Sequence, residues 1–281
     1  MMIFDLIPST LRMTTPLGFA ALGGIYSERS GVINIALEGM MLIGAYGYVV
    51  GAHASGSAWV GLSVGICLGI VLSILHAVAT ITFHAEQIVT GIAINILALG
   101  ITKYLVPTTE WVPGLPQLTL PLIGSYSILV YLVPILMVSN HILLFKTPWG
   151  LRLRAAGEST EALKTLSLSR AKWQYLGVIL SGVFAGVGGC FLISDVHYFT
   201  EGIIGGRGYV ALAAVIFGNW RPLYGVAACL IFGFADSLGL SSQWQIPDQL
   251  LKSFPYILTM IILAGLVGRS RPPAALGKME S

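Results

Sequence analysis

Residues 59–83 of the chain read WVGLSVGICLGIVLSILHAVATITF, and this stretch decides the class of fold. Its 25 residues contain no aspartate, glutamate, lysine or arginine. A helix of about 20 consecutive apolar residues, within a range of about 17–25, is long enough to cross a bilayer. The stretch therefore predicts a transmembrane helix.

Continuous apolar runs recur on both sides of this stretch, at residues 37–53, 88–106, 128–145, 173–194, 223–240 and 254–268. Two further runs are shorter and broken by glycine, at residues 16–26, with a possible extension back to Ile3, and at residues 209–217. Membrane β-barrels instead alternate apolar and polar residues in segments of about 10 residues. We therefore predict an all-α, polytopic transmembrane helix bundle of about eight or nine helical elements, two of them broken or short, in a single domain over residues 1–281.

The composition of the chain supports this class. Of its 281 residues, 56% are apolar and only 10% are charged, against roughly a quarter charged in soluble domains. The high hydrophobicity excludes a disordered chain, and a net charge of +3 supplies no dense basic face for nucleic acid. The first 12 residues lack the pattern of a cleaved signal peptide, so we expect the first membrane helix to target the chain.

The basic residues indicate which segments face the cytoplasm. Nine of the 15 lysines and arginines lie either in residues 146–172 or in the tail, about 269–281. By the positive-inside rule both segments are predicted to be cytoplasmic. Residues 107–124 carry Glu110 as their single charge and are expected on the opposite side. The side on which the amino terminus lies stays open.

The chain lacks the motifs of a self-contained enzyme or ATPase. It has no phosphate-binding loop, no H-E-x-x-H helix and no G-x-S-x-G turn. The three cysteines stand in apolar runs without metal-ligand spacing, so no metal site is predicted. We expect no catalytic residues, and no cofactor bound by this chain itself. Glycines at four-residue spacing, Gly61-Gly65-Gly69 and Gly182-Gly186, predict tight helix packing.

Two glycine-rich, charged segments interrupt the apolar pattern, residues 23–39 (GGIYSERSGVINIALEG) and 201–212 (EGIIGGRGYVAL). Irregular backbone at membrane depth survives only where it is buried in protein or lines a wet cavity. Paired broken segments in two halves of a chain point to a transport path. The alternative interpretation is two ordinary interhelical loops with glycine turns.

Polar residues within the apolar runs supply candidates for such a path. Gln87, Gly91 and Asn95 recur every four residues and form one helix face, which either packs against another helix or lines a cavity. Glu38 is a carboxylate in an apolar helix, and we expect either a functional role or a buried structural hydrogen bond. Amides and charged groups there would exchange hydrogen bonds with a small polar solute. The predicted path residues are Asn34, Glu38, Gln87, Asn95 and Arg207.

The central basic segment is predicted to contain a short amphipathic helix over residues 159–167. Ser159 or Thr160 would cap its amino terminus, and Glu161 would lie in the favourable first turn. Such a helix in a basic loop is suited to docking a soluble partner. The alternative is a solvated linker helix.

Three blocks of sequence carry a family resemblance. They are TPL at residues 15–17 continuing to ERSGVINIALEGMMLIGA at 28–45, GLRLRAAGE at 150–158, and GRGYVALAAVIFGNWRP at 206–222. On these blocks the chain resembles permease subunits of bacterial ABC importers of the branched-chain amino acid and simple sugar type, and within them the nucleoside-uptake branch. The similarity extends from about Thr14 to Leu266.

The resemblance implies a permease in the bacterial cytoplasmic (inner) membrane. It implies a second homologous permease subunit, cytoplasmic ABC ATPase subunits that bind ATP and Mg²⁺, and an extracytoplasmic solute-binding protein, often a lipoprotein. The loop around residues 154–166 would be the coupling helix that docks on the ATPase. Leu166 and Ser167 stand near the place where such loops usually carry a glycine, a departure that bears on docking geometry. The residues that would couple to the ATPase are Arg154, Gly157, Glu158, Glu161 and Ala162.

Two functional hypotheses follow. The first is a permease half of an ATP-driven importer that lines an alternating-access path for nucleosides or related small polar solutes, with purines, riboflavin-like molecules and simple sugars also open. The second is a stand-alone secondary transporter or channel for a small polar solute, because ion-coupled carriers also use paired broken segments.

Overall fold

A computed structural model of the chain describes residues 6–105, 119–165, 167–240, 257, 260 and 270–278. Its elements in chain order are α1 (Leu6–Arg29), α2 (Leu37–Ser55), α3 (Ala58–Ala77), a π-helical turn (Val78–Thr82), α4 (Gln87–Leu105), β1 (Leu122–Ile123), β2 (Tyr126–Ser127), α5 (Ile128–Lys146), α6 (Pro148–Glu158), α7 (Thr160–Thr165), α8 (Arg170–Val196), α9 (Arg207–Phe217) and α10 (Pro222–Leu240).

The all-α bundle predicted from the apolar runs is confirmed. Within the described residues, the stretches long and apolar enough to cross a membrane are Ala58–Thr82, Gln87–Leu105, Ile128–Lys146 and Arg170–Val196. Strand structure in the described part is limited to one small antiparallel hairpin in which Leu122 pairs with Ser127. The predicted run at residues 254–268 falls outside the described residues apart from 257 and 260, as does most of the segment 107–124.

The first run extends toward the amino terminus, as the sequence allows, and the glycine break expected within it is wrong, because α1 is continuous over 24 residues from Leu6 to Arg29. Its glycines serve packing instead of breaking the helix. A Cβ on Gly23 would lie 2.8 Å from the carbonyl oxygen of Ser181, and one on Gly24 would lie 3.1 Å from the side chain of Leu37. The actual break is confined to residues 30–36.

Close backbone approach holds α2, α3 and α8 together. A Cβ on Gly44 would lie 2.7 Å from Gly186 Cα, and one on Gly69 would lie 2.6 Å from the carbonyl oxygen of Gly182. A side chain at either position would force the helices apart. The packing role predicted for the regularly spaced glycines is confirmed, and it follows from the gain in dispersion contacts when small residues let backbones approach.

The central basic segment contains more helix than the sequence analysis predicts. The short helix expected at residues 159–167 is present as α7, but α6 precedes it over 11 residues. The Thr147 hydroxyl accepts a hydrogen bond from the Gly150 amide at 3.2 Å, and Pro148 occupies the first helical position. A capping threonine followed by proline is a helix-start signal.

The short run near residue 209 forms α9, which has 11 residues. At about 1.5 Å per residue it is about 16 Å long, roughly half of a hydrocarbon core of about 30 Å. Its carboxyl end turns into α10 beside Arg29, the last residue of α1. The irregular residues 197–206 connect α8 to the amino terminus of α9.

Candidate functional site

The first break begins where the backbone leaves α1 at Ser30, and it ends where α2 begins at Leu37. Local hydrogen bonds hold it: Ser27 Oγ donates to the Val32 carbonyl at 2.8 Å, and the Val32 amide donates to the Ser27 carbonyl at 3.1 Å. Gly31 has φ of +98°, a backbone conformation that favours glycine. The break is thus a defined, ordered turn of the chain.

Side chains from three helices satisfy further polar groups of this break. Gln87 Oε1, on α4, accepts the Ile33 amide at 2.7 Å, and His76 Nε2, on α3, lies 3.1 Å from the Ile33 carbonyl oxygen. Asn34 Nδ2 donates to Ser181 Oγ on α8 at 2.6 Å. Irregular backbone within the bundle is therefore buried in protein, as the membrane interior requires.

Glu38 joins the two broken segments. Its Oε1 accepts the Gly206 amide at 2.8 Å, and its Oε2 accepts the Gly208 amide at 2.7 Å. These amides belong to the amino terminus of α9, where unpaired N–H groups and the helix dipole favour an anion. Gly206 has φ of +85°, and a Cβ on Gly208 would lie 2.5 Å from Glu38 Cα. The glycines beside Arg207 are therefore what admits the carboxylate.

Asn95 ties the same two segments to α4. Its Oδ1 accepts the Gly39 amide at 2.8 Å, while its Nδ2 donates to the Ile35 carbonyl at 3.0 Å and to the Tyr209 hydroxyl at 2.9 Å. The Tyr209 side chain is 46% exposed. Of the two interpretations of this helix face, the contacts of Gly91 and Asn95 show packing, whereas Gln87 also lines a cavity. Tyr209 carries the cluster to the surface, and a place in the path stays a prediction.

Arg207 stands apart from the other predicted path residues. Its Nη1 donates to the Ile204 carbonyl at 3.0 Å, and its Nη2 lies 4.0 Å from Met13 Sδ. Its Nε and the Oδ1 of Asn34 are buried without a hydrogen-bond partner among the described residues. The structure thus gathers Asn34, Glu38, Gln87 and Asn95 around residues 33–39, with Arg207 one residue from the amides that Glu38 binds.

Sequence reasoning missed three members of this cluster, namely His76, Ser181 and Tyr209. For His76 a signal was present in the sequence. Ser73, His76 and Thr80 are spaced by three and then four residues along α3 and the π-helical turn that continues it, and all three are buried. That spacing is typical of one polar stripe on a helix. Ser181 and Tyr209 carry no comparable signal.

A second cluster surrounds Arg29 at the end of α1. Arg29 Nε donates to the Trp220 carbonyl at 2.8 Å and Nη2 to the Asn219 carbonyl at 3.1 Å. Its Nη1 lies 3.4 Å from Glu158 Oε1 on α6, and the Trp220 indole N–H donates to the Glu28 carboxylate. We call this end of the molecule, with α6, α7 and residues 270–278, the basic end.

Two of the predicted coupling residues face into the bundle. Arg154 Nε donates to the Leu144 carbonyl at 2.9 Å, and its guanidinium carbon lies 4.7 Å from the centre of the Phe145 ring. A Cβ on Gly157 would lie 2.9 Å from the Gly31 amide nitrogen. Arg154 and Gly157 therefore seat α6 on α5 and on the first break.

The other coupling residues lie nearer the surface. Glu158 is half-exposed and bonds to Arg29, while Glu161 on α7 is exposed. The side chain of Ala162 lies outside what the structure describes. Glu158 is thus a link within the chain, whereas Glu161 is available to a partner.

Residues 270–278, which we call the tail strap, cross the basic end. The Ala274 amide donates to Glu158 Oε2 at 3.1 Å, the Ala275 amide to the Gly157 carbonyl at 2.8 Å, and the Gly277 amide to the Gly31 carbonyl at 3.2 Å. The strap therefore binds α6 and the first break at once.

The apolar helices, the two broken segments and their junction define the class of a multi-pass membrane transport protein. The chain belongs to the family described as the permease component of the branched-chain amino acid transport system, which it matches over residues 6–264. It is therefore a transport component of the ABC type, and membership implies work with an ATPase and a solute-binding protein.

Permeases of other organisms are similar to this chain over almost its whole length. The chain is 39% identical to the guanosine ABC transporter permease NupQ of Bacillus subtilis, covering 97% of this chain and 95% of the relative. It is 34% identical to the nucleoside ABC transporter permease NupC of Lactococcus lactis, with the same coverage. A putative glucose ABC transporter permease of Haloferax volcanii, TsgC13, is 30% identical over 94% of this chain and 92% of the relative. No solved structure matches the chain.

Proposed function

We propose that this chain forms one half of an alternating-access path for nucleosides in an ATP-driven importer, and that a second permease supplies the other half. The observation that carries the proposal is the junction of the two broken segments through Glu38 and Asn95. The similarity to guanosine and nucleoside permeases supports the choice of solute.

The chemistry of the junction fits a nucleoside. The Tyr209 hydroxyl and the Asn95 amide stand together on a partly exposed face, and hydroxyl and amide groups exchange hydrogen bonds with ribose hydroxyls and base edges. A face shared by two short helix ends changes shape when either segment moves, because packed elements switch between discrete arrangements. We place the solute beside Tyr209, Asn95 and Arg207, with Asn34, Glu38 and Gln87 fixing the backbone around it.

The proposed energy source is a partner ATPase at the basic end, which would lie in the cytoplasm of a bacterial cell. Six of the 15 basic residues lie in residues 146–172, consistent with the positive-inside rule. The ATPase would bind ATP and Mg²⁺ and dock on α6 and α7, where Arg154, Gly157, Glu158, Glu161 and Ala162 lie. A lipid-anchored binding protein would deliver the solute on the opposite face of the inner membrane.

Uptake by variants tests the path. Asn34→Ala, Asn95→Ala and Arg207→Ala are each expected to lower nucleoside uptake at least about tenfold, equivalent to about 1.4 kcal/mol. Tyr209→Phe removes an exposed hydroxyl that also accepts a hydrogen bond from Asn95, so its unfolding temperature is measured beside its uptake. A loss of uptake at an unchanged unfolding temperature reports on the solute and not on folding. Ser139→Ala, on the exposed face of α5, is the matched control.

The measurement is uptake of labelled guanosine in cells with equal amounts of each variant in the membrane. Wild-type uptake in all three alanine variants and in Tyr209→Phe would remove the path assignment. Transport by the purified chain alone in liposomes without ATP would favour the stand-alone carrier.

A further inference from the structure

A cavity of about 330 Å³ lies at the basic end, next to the first break and away from the Glu38 contacts. Its volume falls within the range of small-molecule sites, roughly 300–1,000 Å³. Its walls come from the π-helical turn and the residues after it, the first residue of α4, the start of α8 and the tail strap. The polar residues that line it are Thr80, Thr82, His84, Gln87, Arg170, Gln174 and Lys278.

The lining is cationic. Arg170 and Lys278 carry positive charge, and no carboxylate lines the cavity among the described residues. Arg170 is held rigidly, since its Nε donates to the Ala156 carbonyl at 3.0 Å and its Nη2 to the Ala275 carbonyl at 3.3 Å. The Thr80 hydroxyl donates to the His76 carbonyl and the Thr82 hydroxyl bonds to Tyr175. The charges of Arg170 and Lys278, with the His84 imidazole, are therefore what the lining offers to an anion such as phosphate.

Gln174 adds a neutral polar group to the lining. Its side chain is 7% exposed and lines the cavity beside Arg170. An amide can donate to an oxygen-bearing ligand as well as accept from one.

The backbone beside the cavity is irregular at two places. Residues Val78–Thr82 form a π-helical turn, a geometry found frequently at functional sites. His84 follows with φ of +53°, a left-handed conformation that is uncommon outside glycine. Both irregularities turn side chains of one short segment toward the cavity.

The position of the cavity along the apolar spans indicates which phosphate-bearing molecule it would meet. Thr82 ends the apolar span Ala58–Thr82, and Arg170 begins the span Arg170–Val196. Phe83, between Thr82 and His84, is 75% exposed, so an apolar side chain stands free at the end of this span. Phospholipid headgroups lie at this level, and basic pockets between membrane helices bind anionic ones. We propose that the cavity binds the phosphate of an anionic phospholipid headgroup.

Native mass spectrometry of the full purified chain tests this site. Delipidated protein is titrated with phosphatidylglycerol, and inorganic phosphate is then added as a competitor. Lys278→Ala is expected to reduce lipid retention about fivefold. His84→Gly also reduces it, because glycine keeps the left-handed backbone and removes only the imidazole. Lys172→Ala is the matched control, since Lys172 is an exposed lysine two residues from Arg170 that does not line the cavity.

A headgroup site is supported if lipid retention is weakened by Lys278→Ala and by His84→Gly and is unchanged in Lys172→Ala. Displacement of the lipid by inorganic phosphate, with the same dependence on the variants, supports a phosphate site that free phosphate also enters. Absence of retention in wild type, or equal loss in Lys278→Ala and Lys172→Ala, overturns the proposal. Occupation of the cavity by an acidic segment of a partner subunit, seen as cross-links to Lys278 that exclude lipid, also overturns it.

Discussion

Glu38 shows how a single carboxylate in an apolar helix is stabilised. Ionised side chains are costly within a bilayer and require partners. Glu38 finds two in the amides of Gly206 and Gly208, at 2.8 and 2.7 Å. Both bonds are charge-assisted, and both lie at a helix amino terminus, where the dipole adds to the attraction. The structural hydrogen bond was one of the two roles expected for this residue, and a role in the path stays a prediction.

The first residue-scale prediction concerns the charge of Glu38. Glu38→Gln keeps the shape but places an NH₂ group against one of the two amide donors. We expect a destabilisation of about 1–3 kcal/mol, because a charge-assisted bond is lost and a buried donor is left unpaired. Glu201→Gln is the control: Glu201 pairs with Lys103 at 3.2 Å on the surface, and exposed pairs contribute about 0–1 kcal/mol.

Thermal unfolding of both variants in the same lipid nanodiscs measures the difference. Equal unfolding temperatures for Glu38→Gln and Glu201→Gln would show that the Glu38 carboxylate does not hold α9.

The second residue-scale prediction concerns the glycine that faces Glu38. Gly208→Ala puts a methyl group within 2.5 Å of the Glu38 backbone, so α9 must shift. We expect a loss of about 1–3 kcal/mol, typical of overpacking, together with lower uptake. Gly100→Ala meets nothing within 4 Å and is expected to be neutral or slightly stabilising. Unfolding temperature and guanosine uptake are measured together, and a harmless Gly208→Ala would contradict the close approach of α9 to α2.

At the scale of elements, hydrophobicity predicted most of the helices and little of their junctions. The run at residues 37–53 became Leu37–Ser55, because a helix that is apolar on all sides is buried, here mostly against other helices of the bundle. Helix α6 was missed because it is polar, although Thr147 and Pro148 mark its start. Glycines 23 and 24 were misinterpreted as a break because glycine serves both turns and close packing, and only the neighbouring helix distinguishes the two.

The contacts that build the candidate site are long-range, and this is why sequence alone did not pair them. Glu38 and Gly206 are 168 residues apart, and no periodicity within either helix encodes their meeting. The turn between α9 and α10 is similar: Asn219 and Trp220 have φ of +50° and +54°, a conformation that tertiary bonds to Arg29 impose on two non-glycine residues. The spacing of residues in the sequence predicted which polar residues stand out within the apolar helices. The packing of the helices decides which groups those residues bond to.

Helices α6 and α7, the proposed docking site of the ATPase, supply one prediction. Glu161 is exposed on α7, while Glu158 bonds to Arg29 and to the Ala274 amide. Glu161→Ala should therefore uncouple ATP hydrolysis from uptake without lowering the unfolding temperature. Glu158→Ala should reduce the coupling and also lower the unfolding temperature. The double variant should insert normally and remain uncoupled. ATPase rate and uptake are measured in the reconstituted complex, and full coupled uptake in the double variant would contradict the docking role.

The tail strap supplies a second prediction about how the elements are held together. A chain that ends at residue 269 loses the amides of Ala274, Ala275 and Gly277, which bond to α6 and to the first break. We expect faster hydrogen exchange at residues 156–159 and weaker uptake, because α6 then lacks its anchor. A chain that ends at Lys278 keeps these bonds and is the matched control. Identical exchange in the two truncated chains would contradict the anchoring role.

On the scale of the whole molecule, the two clusters are connected by short elements. The first break links Arg29, at the basic end, to Glu38, at the junction, through residues 30–37. Helix α9 runs parallel to this link, from the amides that Glu38 binds to the turn that Arg29 binds. A displacement of α6 by a partner would therefore reach the proposed path through both the first break and α9. This arrangement suits a subunit that is driven from one end.

We propose that this chain moves a nucleoside only as part of an ATP-driven assembly. The measurement that tests this proposal is uptake of labelled guanosine into proteoliposomes that contain the chain, a second permease, an ABC ATPase and a solute-binding protein, with and without ATP. We expect uptake that requires ATP and every subunit, and that Asn95→Ala abolishes. Guanosine uptake by this chain alone, at the same rate with or without ATP, would contradict it.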